Sequence, residues 1–317
     1  MGKLSNIFKR IRSGCSDVRA FGMFVGMTNM LWPIIANCPE ALKKAVMERK
    51  KQIIDTLLLK TCSDTIQRYR LIGKTTADAP HASDAPIYVC WLQGENSAPA
   101  LVKKCIASIR KHVGMHPVNI ITGDNYSEYV TMPETVTQSW ENGQIGNAHF
   151  ADILRCALLC EHGGCWIDAT IWMSGDINEE VFEYPIYSCR FADDGRYITK
   201  NIWSNFFLAA QPQSVTMHYV RDMLYEYMQH QTRFVDYFLM DYIIRWGYDH
   251  IDAIQQELET IPYNNESIHE LTKYLRSPMP SVEVTSILEQ SYMHKLSWRI
   301  DIESLSNNSV GKTLLMA

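Results

Sequence analysis

The strongest constraint on the fold is a change of pattern at residue 87. Ile87 to Leu92 is one unbroken apolar run, as expected of a strand buried on both faces. Ser97 and Pro99 then read as the cap and first-turn proline of a helix. Its apolar stripe is Leu101, Val102, Cys105, Ile106, Ile109 and Val113. Pro117 to Thr122 is a second short apolar run, closed by the turn residues Gly123, Asp124 and Asn125. Strand, helix and strand over this length predict a βαβ unit, because parallel strands need such a crossover. The chain is therefore α/β. In open α/β sheets ligands bind at the carboxyl ends of the strands, which makes Gln93, Asp124 and Asn125 candidates. Asp124 and Asn125 are equally good as plain turn formers.

A second stretch supplies the polar chemistry. Residues 148–162, capped by Asn147, predict a helix in which Phe150, Ile153, Leu154, Ala157 and Leu158 share one face and pack on the sheet. Asp152 and Arg155 lie on the opposite face, three residues apart. An exposed pair of this kind contributes only a few tenths of a kcal/mol. Cys156 and Leu159 share that face, however, which suggests a cleft wall rather than a solvated surface. Gly163 and Gly164 end the helix. The strand that follows puts Trp166, Asp168, Thr170 and Trp172 on one side if the backbone stays extended. Two carboxylates two residues apart would chelate a divalent cation, but the second position here is the hydroxyl of Thr170.

Upstream, residues 1–80 read as a helical extension, with an uninterrupted helix from Met47 to Tyr69. Thr75 to Pro86 (TTADAPHASDAP) is the expected linker before a main domain over 81–317. Residues 1–60 hold 11 Lys and Arg against 4 Asp and Glu, whereas the remainder holds 19 against 31. This basic head on an acidic body predicts contact with an anionic surface such as a membrane, or else a solvated helical face. Ala20 to Cys38 is apolar but interrupted by Gly22, Gly26, Thr28, Asn29 and Pro33, so a buried or interfacial helix is expected and not a span. No signal peptide is apparent. The nine cysteines are scattered without a CxxC pair, which indicates reduced thiols used as small core residues. A Cys/His nucleophile has no recognisable spacing, and no Walker loop, GxGxxG, GxSxG or HExxH occurs. Further strands are expected over 186–189 and 205–210 and helices over 214–231 and 234–246. The C-terminal SYMHKLSWR (291–299) gathers His294, Lys295, Ser297 and Trp298.

Together, WLQGENSAPALVKKCIASIRKH, NGQIGNAHFADILRCALLCEHGGCWIDATIW and SYMHKLSW resemble the bacterial capsular polysaccharide synthesis glycosyltransferases, which are similar to glycosyltransferase family 32. The resemblance covers residues 87–299. It implies a GT-A (Rossmann-like nucleotide-diphospho-sugar transferase) domain, with a donor half over about 86–175 and an acceptor half over about 176–300. It also implies a UDP-sugar donor, a divalent cation (Mn2+ or Mg2+), retention at the anomeric carbon, and a polysaccharide or lipid-linked glycan acceptor. By the same resemblance Asp152 and Arg155 would grip the donor sugar, and Asp168 would touch metal, ribose or both. Trp91 and Gln93 would lie beside the base, His294 would ligate metal, and Lys295, Ser297 and Trp298 would flank the diphosphate. Thr170 departs from the family's Asp-x-Asp and puts strict metal dependence in question. The expected function is transfer of a hexose or N-acetylhexosamine to a surface polysaccharide. The expected place is the cytoplasm, peripheral at the inner face of the cell membrane, and no nucleic-acid partner is expected. The alternatives are a sugar-nucleotide hydrolase and a non-catalytic sugar-nucleotide-binding subunit.

Overall fold

A computed structural model describes residues 14–72, 84–193 and 197–316. The predicted linker lies mostly outside the described residues. The described residues begin with four helices: α1 (14–21), α2 (Met23–Ile35), α3 (Glu40–Thr61) and α4 (Ser63–Arg70). The single helix expected from Met47 to Tyr69 is thus broken at Cys62, whose backbone leaves helical geometry (φ −125°, ψ 36°). The βαβ unit follows as β1 (Ile87–Cys90), α5 (Ala100–His112) and β2 (Val118–Ile121). Then come α6 (Glu134–Glu141), α7 (Asn147–His162), β3 (Gly164–Ile167), β4 (Ile171–Met173), β5 (Ile186–Ser188) and β6 (Phe207–Ala210). The remainder is α8 (Val215–His230), α9 (Leu239–His250), α10 (Asp252–Glu259), α11 (Leu271–Tyr274), α12 (Val282–Gln290), β7 (Met293–Lys295) and α13 (Val310–Leu315).

The architecture is α/β around a mixed sheet of order β2-β1-β3-β6-β5. β1 runs parallel to β2 and β3, while β6 is antiparallel to both β3 and β5. Alternation along the strands divides the core. Tyr88 and Trp166 face the layer of α7, α8 and α9, whereas Ile87, Val89, Cys165 and Ile167 face α5 and its Val102, Ile106 and Ile109. Each fully buried aliphatic side chain contributes about 1.5–3 kcal/mol. Val25, Ile54, Leu58 and Ile66 of the N-terminal helices lie in the same apolar cluster as α7 to α9. Among the described residues these helices share their core with α7 to α9.

Two capping expectations differ from the structure. Ser97 does not cap α5; its hydroxyl donates to the Gln93 and Gly94 carbonyls, and Pro99 occupies the N-cap. Asn147 is already helical, with Gly146 at the N-cap, and its side chain instead accepts from Trp140 Nε1 at 2.9 Å. The expected helix over 234–246 begins only at Leu239. The double glycine has a steric reason. Gly163 and Gly164 have φ +65° and +94°, and a Cβ on Gly164 would stand 2.1 Å from the Pro86 carbonyl oxygen. Only residues without a side chain turn α7 directly into β3 at this distance from β1.

Candidate active site

The site forms where β3 ends. The backbone does not stay extended beyond Ile167: Ile171 N–H donates to the Asp168 carbonyl at 2.8 Å, which closes a turn before β4. Asp168 and Thr170 nevertheless share a partner, because β4 pairs antiparallel with β7 and sets Lys295 opposite Ile171. Lys295 Nζ donates to Asp168 Oδ2 at 2.5 Å and to Thr170 Oγ1 at 2.8 Å. Asp168 Oδ1 accepts from Trp166 Nε1 at 2.8 Å and from Arg155 Nη2 at 3.4 Å. One turn and one two-stranded ribbon thus join residues more than a hundred positions apart.

Arg155 links this carboxylate to a second one. Its Nη1 lies 3.2 Å from Asp152 Oδ1, and its guanidinium sits 4.7 Å from the Trp166 ring centroid. The guanidinium is almost wholly buried, so α7 has no solvated face here and the pair belongs to the interior of a cleft. A charge this deep needs partners, and Asp152 and Asp168 supply them. Burial raises the Asp168 carboxyl, but Lys295 and Arg155, with hydrogen bonds from Lys295 and Trp166, outweigh it and hold the group below its ordinary range. Asp152 has weaker compensation. Burial raises it, Arg155 lowers it, and Asp241 and Asp168 raise it further, to about 7.

Asp241 is the residue that sequence reasoning missed. It projects from α9, is buried, and accepts from Trp203 Nε1 at 2.9 Å and Asn205 Nδ2 at 2.8 Å, both on Oδ1. Burial raises it to about 6, against the hydrogen bonds and Arg155. Only its spacing from Arg245, one helical turn on, gave a signal, and that signal was misleading. Arg245 pairs with Asp249 instead, at 2.5 Å.

The other expected residues scatter around this centre. Trp91 follows β1, with a buried indole N–H that has no hydrogen-bond partner among the described residues. Gln93 is exposed near it. The Asn125 side chain is used in its own turn, accepting from Thr122 N at 2.7 Å and donating to the Ile120 carbonyl at 3.0 Å. Ser297 is partly buried, and Trp298 is half exposed with Arg299 over its ring. His294 precedes Lys295 on β7 and so faces the opposite side. It is fully buried, its Nε2 lies 3.0 Å from Ser174 Oγ, and its ring packs on Trp172. Burial lowers it to about 4 and keeps it neutral. Cys90 is electrostatically close to Arg155 and Asp168, but burial pushes its thiol up to about 12, unsuited to nucleophilic work.

The donor set fits an ammonium better than a resident divalent cation. Both Asp168 oxygens are engaged, Thr170 is neutral, and His294 points away. Among the described residues no group of three or more His, Cys, Asp and Glu side chains is placed to hold a metal ion. Lys295 sits where the Asp168 and Thr170 oxygens converge.

A comparison with curated proteins yields no significant match. The family model described as capsular polysaccharide synthesis protein matches residues 35–314, a span that includes α3, the whole sheet and the β4–β7 ribbon. The site residues Asp152, Arg155, Asp168, Asp241 and Lys295 all fall inside it, and the chain belongs to the capsular polysaccharide synthesis protein family.

Proposed function

We propose that the chain is a glycosyltransferase of GT-A type that moves a hexose or N-acetylhexosamine from a UDP-sugar to a growing capsular polysaccharide. The carrying observation is the convergence of Asp168, Arg155 and Lys295 at the carboxyl ends of β1 and β3, inside a family that serves capsule biosynthesis. Transfer requires a pocket that neutralises a leaving diphosphate and orients a sugar. Lys295 supplies a cation beside that position. Thr170 in place of a second carboxylate keeps one negative charge away from the phosphates. Asp168 takes ribose or sugar hydroxyls, and Asp152 with Arg155 holds the donor ring.

In the retaining course that the family 32 resemblance implies, the acceptor oxygen approaches C1 from the side of the leaving group. The new C1–O bond forms as the old one breaks. The electron pair goes to the diphosphate oxygen, which takes the acceptor's proton. Because the donor set does not suit a resident Mn2+ or Mg2+, no step is assigned to one. Among the described residues no helix is long and apolar enough to cross a membrane. We place the protein at the inner membrane face through its basic N-terminal region.

The test is turnover of a UDP-hexose and UDP-N-acetylhexosamine panel by the full-length protein, with and without chelator. Lys295→Met and Asp168→Asn each lower kcat about 10²–10³-fold, the range found for removing one charge-stabilising group. Chelator leaves the wild-type rate within about twofold. Full activity in either variant overturns the assignment, and abolition by chelator restores the divalent cation. Equal release of free sugar with and without acceptor selects the hydrolase, and UDP binding without turnover selects the binding subunit.

A further inference from the structure

Beside Asp152 and Arg155 lies a cavity of 690 Å³, within the range of small-molecule sites. Asp241 lies at its buried end, and both Asp241 and the lining residue Tyr237 interact electrostatically with Arg155. Part of its wall comes from the N-terminal helices: Trp32 on α2 and Met47 on α3 line it together with residues that follow β5 and precede α9. These helices are fixed there by polar ties. Lys50 is paired with Asp236 and donates to Asn29 Oδ1 at 2.5 Å, while Asn29 Nδ2 donates to Asp17 and to the Val235 carbonyl. Arg233 pairs with Asp17 at 3.1 Å.

Charge selects the kind of ligand. Among the described lining residues Lys50 pairs with Asp236 and Arg233 with Asp17, and Asp241 is the remaining carboxylate. Its Oδ1 accepts two hydrogen bonds and its Oδ2 accepts none among the described residues, although the residue is more than nine-tenths buried. Such an oxygen repels phosphate and suits a hydroxyl donor. Much of the lining is aromatic: Tyr237 and Phe238 are 62% and 48% exposed at the rim, and His149 stacks on Phe234 at 4.4 Å. Burial lowers His149 to about 4, so it adds no positive charge at neutral pH. Flat rings with one hydroxyl-accepting carboxylate match a pyranose, which has an apolar C–H face and polar edges.

We propose that this cavity is the acceptor subsite, holding the terminal neutral sugar of the growing glycan between Asp241 and the wall made by α2 and α3. The inference rests on the transferase reading for the word acceptor, but binding of a neutral glycoside does not. The anionic donor end is held on the Asp168 side, and the sugar cavity extends from Asp241 towards Trp32. Residues 14–72 thus contribute to substrate selection as well as to the core.

Saturation-transfer NMR on the full-length protein, with methyl α- and β-glycosides of glucose, galactose, mannose and N-acetylglucosamine as probes, tests it. At least one glycoside shows transfer in the wild type. The signal is lost in Met47→Trp, which fills the cavity beside α3, and in Asp241→Asn, and it persists in Asp168→Asn. Circular dichroism shows each variant folded, and a second filling variant, Trp32→Arg, replaces any that is not. Absence of transfer for the whole panel overturns the proposal, as does transfer that survives Met47→Trp and Asp241→Asn. Loss in Asp168→Asn puts the sugar in the donor site and overturns it too. Glycoside binding that follows the expected pattern without any UDP-sugar turnover leaves the cavity assigned and sinks only the transferase reading.

Discussion

Asp152 and Arg155 show how far a pair of letters can be read. Three-residue spacing on a helix gave their proximity, and the apolar neighbours gave their cleft. The degree of burial and the third and fourth charges came from elsewhere in the chain. With Asp152 raised to about 7 and Asp241 to about 6, the folded protein holds both protons more tightly than the unfolded chain, whose ordinary carboxyl value is 3.8. A raised carboxyl of this kind favours the fold fully at low pH and loses that contribution as pH rises through the folded value. Stability therefore falls progressively between about pH 4 and 7, and the full loss stands above that window. Asp152→Asn removes its share, up to about 4 kcal/mol for a shift of about three units. Urea unfolding at pH 5 and pH 8 measures it. The wild type weakens with rising pH by clearly more than the variant, and equal pH slopes would show that Asp152 ionises normally. Asp168 was legible as the polar tip of a strand, but its pairing with Lys295 was not, because nothing local to either residue records a partner 127 positions away. Asp241 left no usable trace, since the pairing its helix spacing suggests is made by Asp249 instead.

Among the elements, those with a clean period were the readable ones. The stripe on α5 and the apolar run of β1 gave the βαβ unit with its parallel strands; the register, Ile87 opposite Val118, came from the structure. The run of residues 168–172 misled because alternation assumes an extended chain, whereas the Asp168 carbonyl accepts from Ile171 and the strand turns. The α7–β3 junction is the place where local chemistry and site geometry are the same thing. Gly164→Ala places a methyl 2.1 Å from a backbone oxygen at φ +94°, where an L residue is already strained by about 1–2 kcal/mol. β3 must then move away from β1, and Asp168 moves with it. Thermal unfolding of the variant drops by at least about 5 °C, and UDP-sugar turnover falls along with it. A variant with an unchanged midpoint would mean the β1–β3 junction has slack that the structure does not show.

For the whole molecule, the N-terminal helices change the picture most. A composition shift at residue 60 and a polar stretch after residue 74 marked a boundary in the sequence, yet α2 to α4 bury Val25, Ile54, Leu58 and Ile66 in the same core as α7 to α9. Long-range packing of this sort leaves no local signature, since an amphipathic helix looks alike whether its apolar face meets its own domain or another. The structure also shows the other face of α2, which the sequence predicts as a buried or interfacial helix. Val25, Gly26 and Thr28 are buried, whereas Met23, Met27 and Ile34 fall within about 40° of one another on the helix and are 70%, 42% and 65% exposed. The surrounding 60 residues carry a surplus of seven positive charges. An exposed apolar stripe within a basic segment favours an anionic lipid surface, where apolar insertion and charge attraction add. Such contact would bring the cavity wall formed by Trp32 and Met47 close to the membrane plane, where a lipid-linked glycan ends. Vesicles of phosphatidylethanolamine and phosphatidylglycerol should therefore co-sediment with the full-length protein at low salt and release it at high salt. Replacing both Met23 and Met27 with Glu weakens the low-salt association at least about tenfold, which corresponds to about 1.4 kcal/mol. If the double variant sediments like the wild type, α2 is not the contact and the positive surplus alone must account for any binding.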